Sequence, residues 1–124
     1  MRSAYASSGG VVSGAEIVLL LRGHSSQSIS RVARWIVARE VVQFKWRGET
    51  LLPLFQFDLA NMSVRPHTRR VIAELAPAFD DMDLAQWFVR PNSRLADALP
   101  VDLFERDLLA VLAAARADRL ARMG

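Results

Sequence analysis

"SQSISRVARWIV", residues 26–37, decides how the chain is read. Its apolar residues Ile29, Val32, Ala33, Ile36 and Val37 recur at i, i+3, i+4, i+7 and i+8, the single stripe of an amphipathic helix. The other side carries Gln27, Ser30, Arg31 and Arg34 and no carboxylate. An isolated helix face of this kind is more often simply solvated. The segments on either side give the donor-only face its weight.

Upstream, Ser13-Gly14-Ala15-Glu16 has the spacing of a capping box, in which a serine hydroxyl and a glutamate three residues on satisfy each other's backbone amides. The "AEIVLLLR" that follows is apolar nearly all round, so it predicts a short helix covered on two sides. Gly23 ends it, Gly23-His24-Ser25 forms a three-residue turn, and Ser25 or Ser26 caps the next helix. Downstream, "VVQFKWRGETLLPLFQF" (residues 41–57) sets Val42, Phe44 and Trp46 against Val41, Gln43 and Lys45. It turns at Arg47-Gly48 and returns to Phe57, a β-hairpin. Pro53 lacks an amide proton, so the return strand is an edge or is bent there. Residues 1–12, small, polar and glycine-rich, are expected to be a flexible tail.

From Asp58 onward the pattern is helical. Pro66 suits a first turn, with Thr68, Val71, Ile72 and Leu75 at helical spacing behind it. Asp80 or Asp81 caps a short helix bearing Leu84, Ala85 and Phe88, which Pro91 ends. Pro100 opens another turn, and an Ala/Leu-rich helix runs from about Arg106 to Arg122. The expected fold is mainly α with a small β-hairpin, without an internal repeat or a long linker.

Several function classes are set aside by composition. The chain has no cysteine and only two histidines, His24 and His67, in separate segments. Neither a metal site, which needs three or four converging ligands, nor a catalytic set is predicted, and no cofactor is expected. Asp80, Asp81 and Asp83 read as helix capping rather than cation binding. No signal-peptide core and no membrane-length apolar run is present, so the cytoplasm is expected, with no membrane partner.

Charge is unevenly spread. Residues 1–62 hold seven basic and four acidic groups, and residues 63–124 hold nine of each, so the net +3 resides in the first half. A helix, a short turn, a second helix with a donor-rich face and then a hairpin follow the order of a winged helix-turn-helix. Residues 13–58 are therefore expected to bind double-stranded DNA. Ser26, Gln27, Ser28, Ser30, Arg31 and Arg34 would lie toward the duplex. Glutamine can pair with adenine, arginine with guanine, and serine can hold phosphate near a helix N-terminus. Lys45 and Arg47, at the hairpin tip, would reach backbone phosphates as the wing.

The second half carries a resemblance. "LPLFQFD" after the hairpin and then "LAQWFVRPNSRLADALPVDLF" are similar to the toxin-binding domain of antitoxins of the Xre/MbcA/ParS kind. The shared pattern is Trp-x3-Pro-Asn-x2-Leu-x4-Pro followed by Leu, here Trp87, Pro91, Asn92, Leu95, Pro100 and Leu103, within a match from about Leu52 to Ala121. The segment from Leu19 to Phe44 also resembles the small winged helix-turn-helix that precedes this domain in some relatives and, more weakly, excisionase-type modules. The resemblance implies a non-enzymatic repressor of its own operon, a homodimer that binds DNA at one end and grips a RES-type, NAD-consuming toxin at the other. Residues 59–124 would form the helical toxin-binding module. Trp87 and the Pro-Asn turn read as scaffold. Arg116, Arg119 and Arg122, on the last turns of the final helix, are the expected partner contacts. The alternative is a protein-binding adaptor, or an orphan regulator of the same family without a toxin or without DNA binding.

Overall fold

The computed structural model describes residues 1–21, 28–61 and 63–123. In chain order these form β1 (Val11–Ser13), α1 (Gly14–Leu21), α2 (Ser28–Val37), β2 (Phe44–Trp46), β3 (Glu49–Pro53), β4 (Phe57–Asp58) and β5 (Ser63–Val64). Then come α3 (Pro66–Leu75), α4 (Asp81–Phe88), α5 (Pro100–Leu103) and α6 (Leu108–Met123). The protein is mainly helical with a small antiparallel sheet, as expected. Among the described residues no helix is long and apolar enough to cross a membrane.

The expected flexible tail over residues 1–12 is replaced by structure. Residues Arg2–Ser8 wind into a 3-10 helix, and Gly9 and Gly10 then turn the chain at φ 105° and 79°, values that a side chain would resist. Tyr5 explains the ordering. Its ring has no exposed surface, stacks on Phe55 at 5.8 Å and on Phe44 at 6.4 Å, and its hydroxyl donates to the Ala85 carbonyl. Burying an aromatic ring stabilises by about 1.5–3 kcal/mol and so offsets part of the freedom the segment loses.

That docking delivers β1 to the sheet. Val11, Val12 and Ser13 pair antiparallel with Pro53, Leu52 and Leu51, while Phe44, Lys45 and Trp46 pair with Leu51, Thr50 and Glu49. The order is β1-β3-β2, so β3 is central rather than an edge. Pro53 is accommodated by the other route: the ladder stops there, and Leu54–Gln56 form a 3-10 turn. The hairpin turns at Arg47-Gly48 as expected, both residues having positive φ, but its strands are shorter than residues 41–57. Phe57–Asp58 instead leaves the hairpin and pairs with Ser63–Val64, where a helical start at Asp58 was expected.

Gln56 organises this departure. Fully buried, its amide accepts from the Val42 amide at 2.6 Å and donates to the carbonyls of Val42 and Pro53 at 2.8 and 2.9 Å. One side chain thus supplies the partners that the missing ladder would have provided to Val42.

Two apolar clusters result. The larger draws Tyr5, Val42, Phe44 and Leu51 together with Val71, Leu75, Leu84, Phe88, Phe104 and Val111, so it spans both halves of the chain. The smaller lies under α1 and α2 and comprises Ile17, Val32, Trp35, Val41, Leu52, Phe57 and Val64.

The expected caps at Ser13 and Asp80 are present, and the expected Ser25 or Ser26 cap lies outside the described residues. The Ser13 amide donates to Glu16 Oε1 at 3.0 Å and the Glu16 amide to Ser13 Oγ at 3.1 Å. Asp80 and Asp83 form a second capping box at the start of α4. Pro66 and Pro100 open α3 and α5.

Candidate functional site

α2 sits differently from its expected setting. Val32 and Trp35 face the core at 3% and 4% exposure, whereas Ile29 and Val37 are 67% and 84% exposed. The expected inward stripe through Ile29, Ala33 and Val37 is therefore rotated out. Trp35 supplies the reason, because its indole packs against the Phe57 ring at 5.5 Å and is the largest apolar group the helix can bury. The helix turns toward the tryptophan at the expense of one edge of the stripe.

Part of the donor face stays outward after this rotation. Ser30 and Arg34 are exposed, and Arg31 is partly buried and engaged within the fold. Ser28 is the first residue of α2. Ser26, Gln27 and the Gly23-His24-Ser25 turn lie outside the described residues. Arg39, past the end of α2, adopts φ 55° in a cap where the Glu40 amide bonds the Trp35 carbonyl and the Arg39 amide bonds the Ile36 carbonyl. Its guanidinium reaches Asp81 Oδ1 at 3.1 Å and the carbonyls of Phe79 and Ala76. This arginine thereby ties the exit of α2 to the start of α4.

At the hairpin tip Lys45, Trp46 and Arg47 are all exposed. Lys45 Nζ donates to Thr50 Oγ1 at 2.9 Å, and the Arg47 guanidinium carbon lies 5.4 Å from the centre of the Trp46 ring. Trp46, grouped by alternation with Val42 and Phe44, is 41% exposed while those two are buried. Glu49 stands opposite it across the ladder. The tip therefore joins two cations, one carboxylate and an accessible indole.

The back half organises around Asp118. Oδ2 accepts from Trp87 Nε1 at 2.8 Å and from Asn92 Nδ2 at 3.0 Å, and Oδ1 accepts from Arg94 Nε at 3.1 Å. Burial opposes the charge on Asp118, but those hydrogen bonds outweigh it and hold the carboxyl below the usual aspartate range. Asn92 also caps the 3-10 turn Ser93–Leu95 through the Arg94 amide. Trp87, Leu95 and Pro100 are buried and Pro91 is exposed. The residues of the Trp-Pro-Asn pattern are thus scaffold in part, yet Trp87, Pro91 and Asn92 also border an open cleft of about 470 Å³ with Arg90, Asp118 and Arg122.

The three arginines expected to be exposed contacts are turned back onto the fold. Arg116 and Arg119 both reach Glu74 Oε1, at 3.0 and 3.2 Å, and Arg122 reaches Asp83 Oδ2 at 2.8 Å. Arg122 also covers the Phe79 ring at 4.0 Å. The hydrogen bond from Arg116, opposed by burial and aided by Arg119, holds the Glu74 carboxyl below its ordinary value. Only Arg122 lies at the cleft; Arg116 and Arg119 pin α6 to α3. Asp118 carried no distinguishing signal in an arginine-rich helix end, since its three donors come from residues 24 to 31 positions away.

No protein-family model matches the chain, and no curated protein or solved structure is significantly similar to it.

Proposed function

We propose that the protein is a non-enzymatic DNA-binding repressor of the antitoxin type, with a duplex-facing front half and a partner-binding back half. One observation carries the first part. α1, α2 and the β2–β3 hairpin follow β1 in a sheet ordered β1-β3-β2, an order in keeping with a winged helix-turn-helix. On that arrangement α2 is the helix for the major groove, presenting Ser30 and Arg34, and the wing tip brings Lys45 and Arg47 to the phosphates. The confinement of the net charge to residues 1–62 agrees with it.

The partner proposal rests on the resemblance of Trp87, Pro91, Asn92, Leu95 and Pro100 to the toxin-binding domain of Xre/MbcA/ParS antitoxins. The cleft beside Trp87 supports it, because an interaction surface needs exposed groups next to a rigid frame. A RES-type toxin is the proposed partner.

Fluorescence anisotropy with labelled duplex from upstream of the coding sequence tests the first part. Binding should weaken with salt, with a log–log slope of about −0.9 per phosphate contacted. Absence of binding at low salt, or indifference to salt, overturns it. Co-purification with the product of the neighbouring reading frame tests the second, and Arg90→Glu, at the exposed rim of the cleft, should abolish it.

A further inference from the structure

The hairpin tip carries a ring that the fold does not use. Alternation places Trp46 on the same face as Phe44, yet Phe44 is 2% exposed and Trp46 is 41% exposed. The core ends between them. Trp46 is the only aromatic among the exposed large apolar side chains of the described residues. It forgoes the burial that Trp35 and Trp87 both have.

Its neighbours are charged rather than apolar. Residues 45–49 are all exposed, and Trp46 is the one apolar side chain among them. Lys45 lies on the other face of the strand, and Glu49 pairs with Trp46 across the ladder. The Arg47 guanidinium lies over the ring, its carbon 5.4 Å from the centre. Arg47 has φ 50° at the first central position of a two-residue turn, where glycine, asparagine or aspartate is favoured. A cation is thus kept beside the ring at a cost in backbone strain.

A tryptophan that anchors a protein partner is ringed by groups that keep water out of the contact. Trp46 has no such ring. A flat π face flanked by cations is instead the chemistry that stacks a nucleobase while holding the adjacent phosphates. We propose that the hairpin tip binds an unpaired nucleobase stacked on the Trp46 indole, with Arg47 and Lys45 engaging the phosphates beside it. A paired base offers only its edges to the grooves, so the ligand is a single-stranded stretch of nucleic acid. The site rests on the nucleic-acid reading of the tip, but not on the entry of α2 into a duplex groove.

Anisotropy of a labelled short oligothymidylate at low salt, with tryptophan emission recorded in parallel, tests the site. Binding should quench the emission saturably, and the quenched component is that of Trp46, since Trp35 and Trp87 are buried. An abasic oligomer of equal length and charge should bind at least about fivefold more weakly. Trp46→Ala should weaken oligothymidylate binding by about five- to 100-fold, and Trp46→Phe should restore most of it. Circular dichroism should be unchanged in both, because the side chain is exposed. Equal binding of the abasic oligomer overturns the proposal and leaves charge alone to explain the tip. So does an unchanged affinity in Trp46→Ala; if that variant then loses the co-purified neighbouring product, the ring serves a protein partner. Absence of single-strand binding also overturns it, and duplex binding in the same titration leaves the repressor reading standing. Trp46-dependent single-strand binding without duplex binding upholds the stacking site and overturns only the duplex reading.

Discussion

Trp87 and Asp118, on different helices, share a hydrogen bond of 2.8 Å from indole Nε1 to carboxylate Oδ2. The same carboxylate holds Asn92 and Arg94, so it fixes the Trp-Pro-Asn segment to α6 through three donors. Asp118→Ala should destabilise the protein by about 1–3 kcal/mol at neutral pH, since it leaves the Trp87 donor partly buried and unpaired. The acid dependence follows from the lowered pKa of this carboxyl. Its contribution is fully present above the unfolded-state value of about 3.9 and is lost as pH falls through the folded value. Urea melts at several pH values, in wild type and Asp118→Ala, should show a stability difference at neutral pH that shrinks in acid.

Arg39 joins the two halves. Its guanidinium serves Asp81 and the carbonyls of Phe79 and Ala76 from a left-handed backbone position. Arg39→Ala keeps the strained φ and loses the contacts, and should cost about 1–2 kcal/mol. Arg39→Gly relieves the strain and should recover a few tenths up to about 1 kcal/mol of that loss. Thermal melts of the pair separate the side-chain and backbone contributions.

Ala96 and Asp97 both have positive φ, 54° and 65°, which disfavours any side chain with a Cβ. Ala96 is exposed, so its methyl group packs little. Ala96→Gly should raise stability by up to about 1 kcal/mol, read as an increased urea midpoint. A decrease would mean that the turn is held by contacts of the Ala96 side chain.

Glu49 opposes the positive charge of the hairpin tip. If the tip approaches phosphate, Glu49→Gln should tighten duplex binding by several-fold at low salt, and Lys45→Ala should loosen it for all sequences alike. Arg34→Ala should instead reduce discrimination between sequences, each lost base contact costing about 1–3 kcal/mol. Anisotropy titrations on cognate and scrambled duplexes distinguish the two behaviours. Trp46 adds a probe, since Trp35 and Trp87 are buried: bound duplex should protect it from iodide quenching.

The elements legible in the sequence were those written locally. The Ser13–Glu16 box, the Arg47-Gly48 turn, the Asp80 cap, and Pro66 and Pro100 at helix starts are all set by residues within a few positions of one another. What escaped was decided at distance. Tyr5 looks like one aromatic in a polar segment until Phe55 and Ala85 are placed around it. The rotation of α2 depends on Phe57, which a helical pattern over residues 26–37 does not contain. Gln56, a polar residue in a run read as strand, is buried because Val42 offers it both an amide and a carbonyl. The same holds for the candidate site. Spacing can bring Arg116, Arg119 and Arg122 onto neighbouring turns, but the acids that engage them lie on α3 and α4.

The hydroxyl of Tyr5 closes on a carbonyl 80 residues further along the chain. During synthesis, at about 5–20 residues per second, that separation amounts to roughly 4–16 s. Through this interval the hydroxyl has no acceptor at Ala85, although Phe44, Phe55 and β3 are made earlier. The residues made first are therefore among the last to settle, a non-local order that slows folding and leaves apolar groups waiting in the open. A front half released alone, for instance residues 1–58, would keep Tyr5 and Phe44 without the helices that seal them, and should precipitate or be degraded where the whole chain survives.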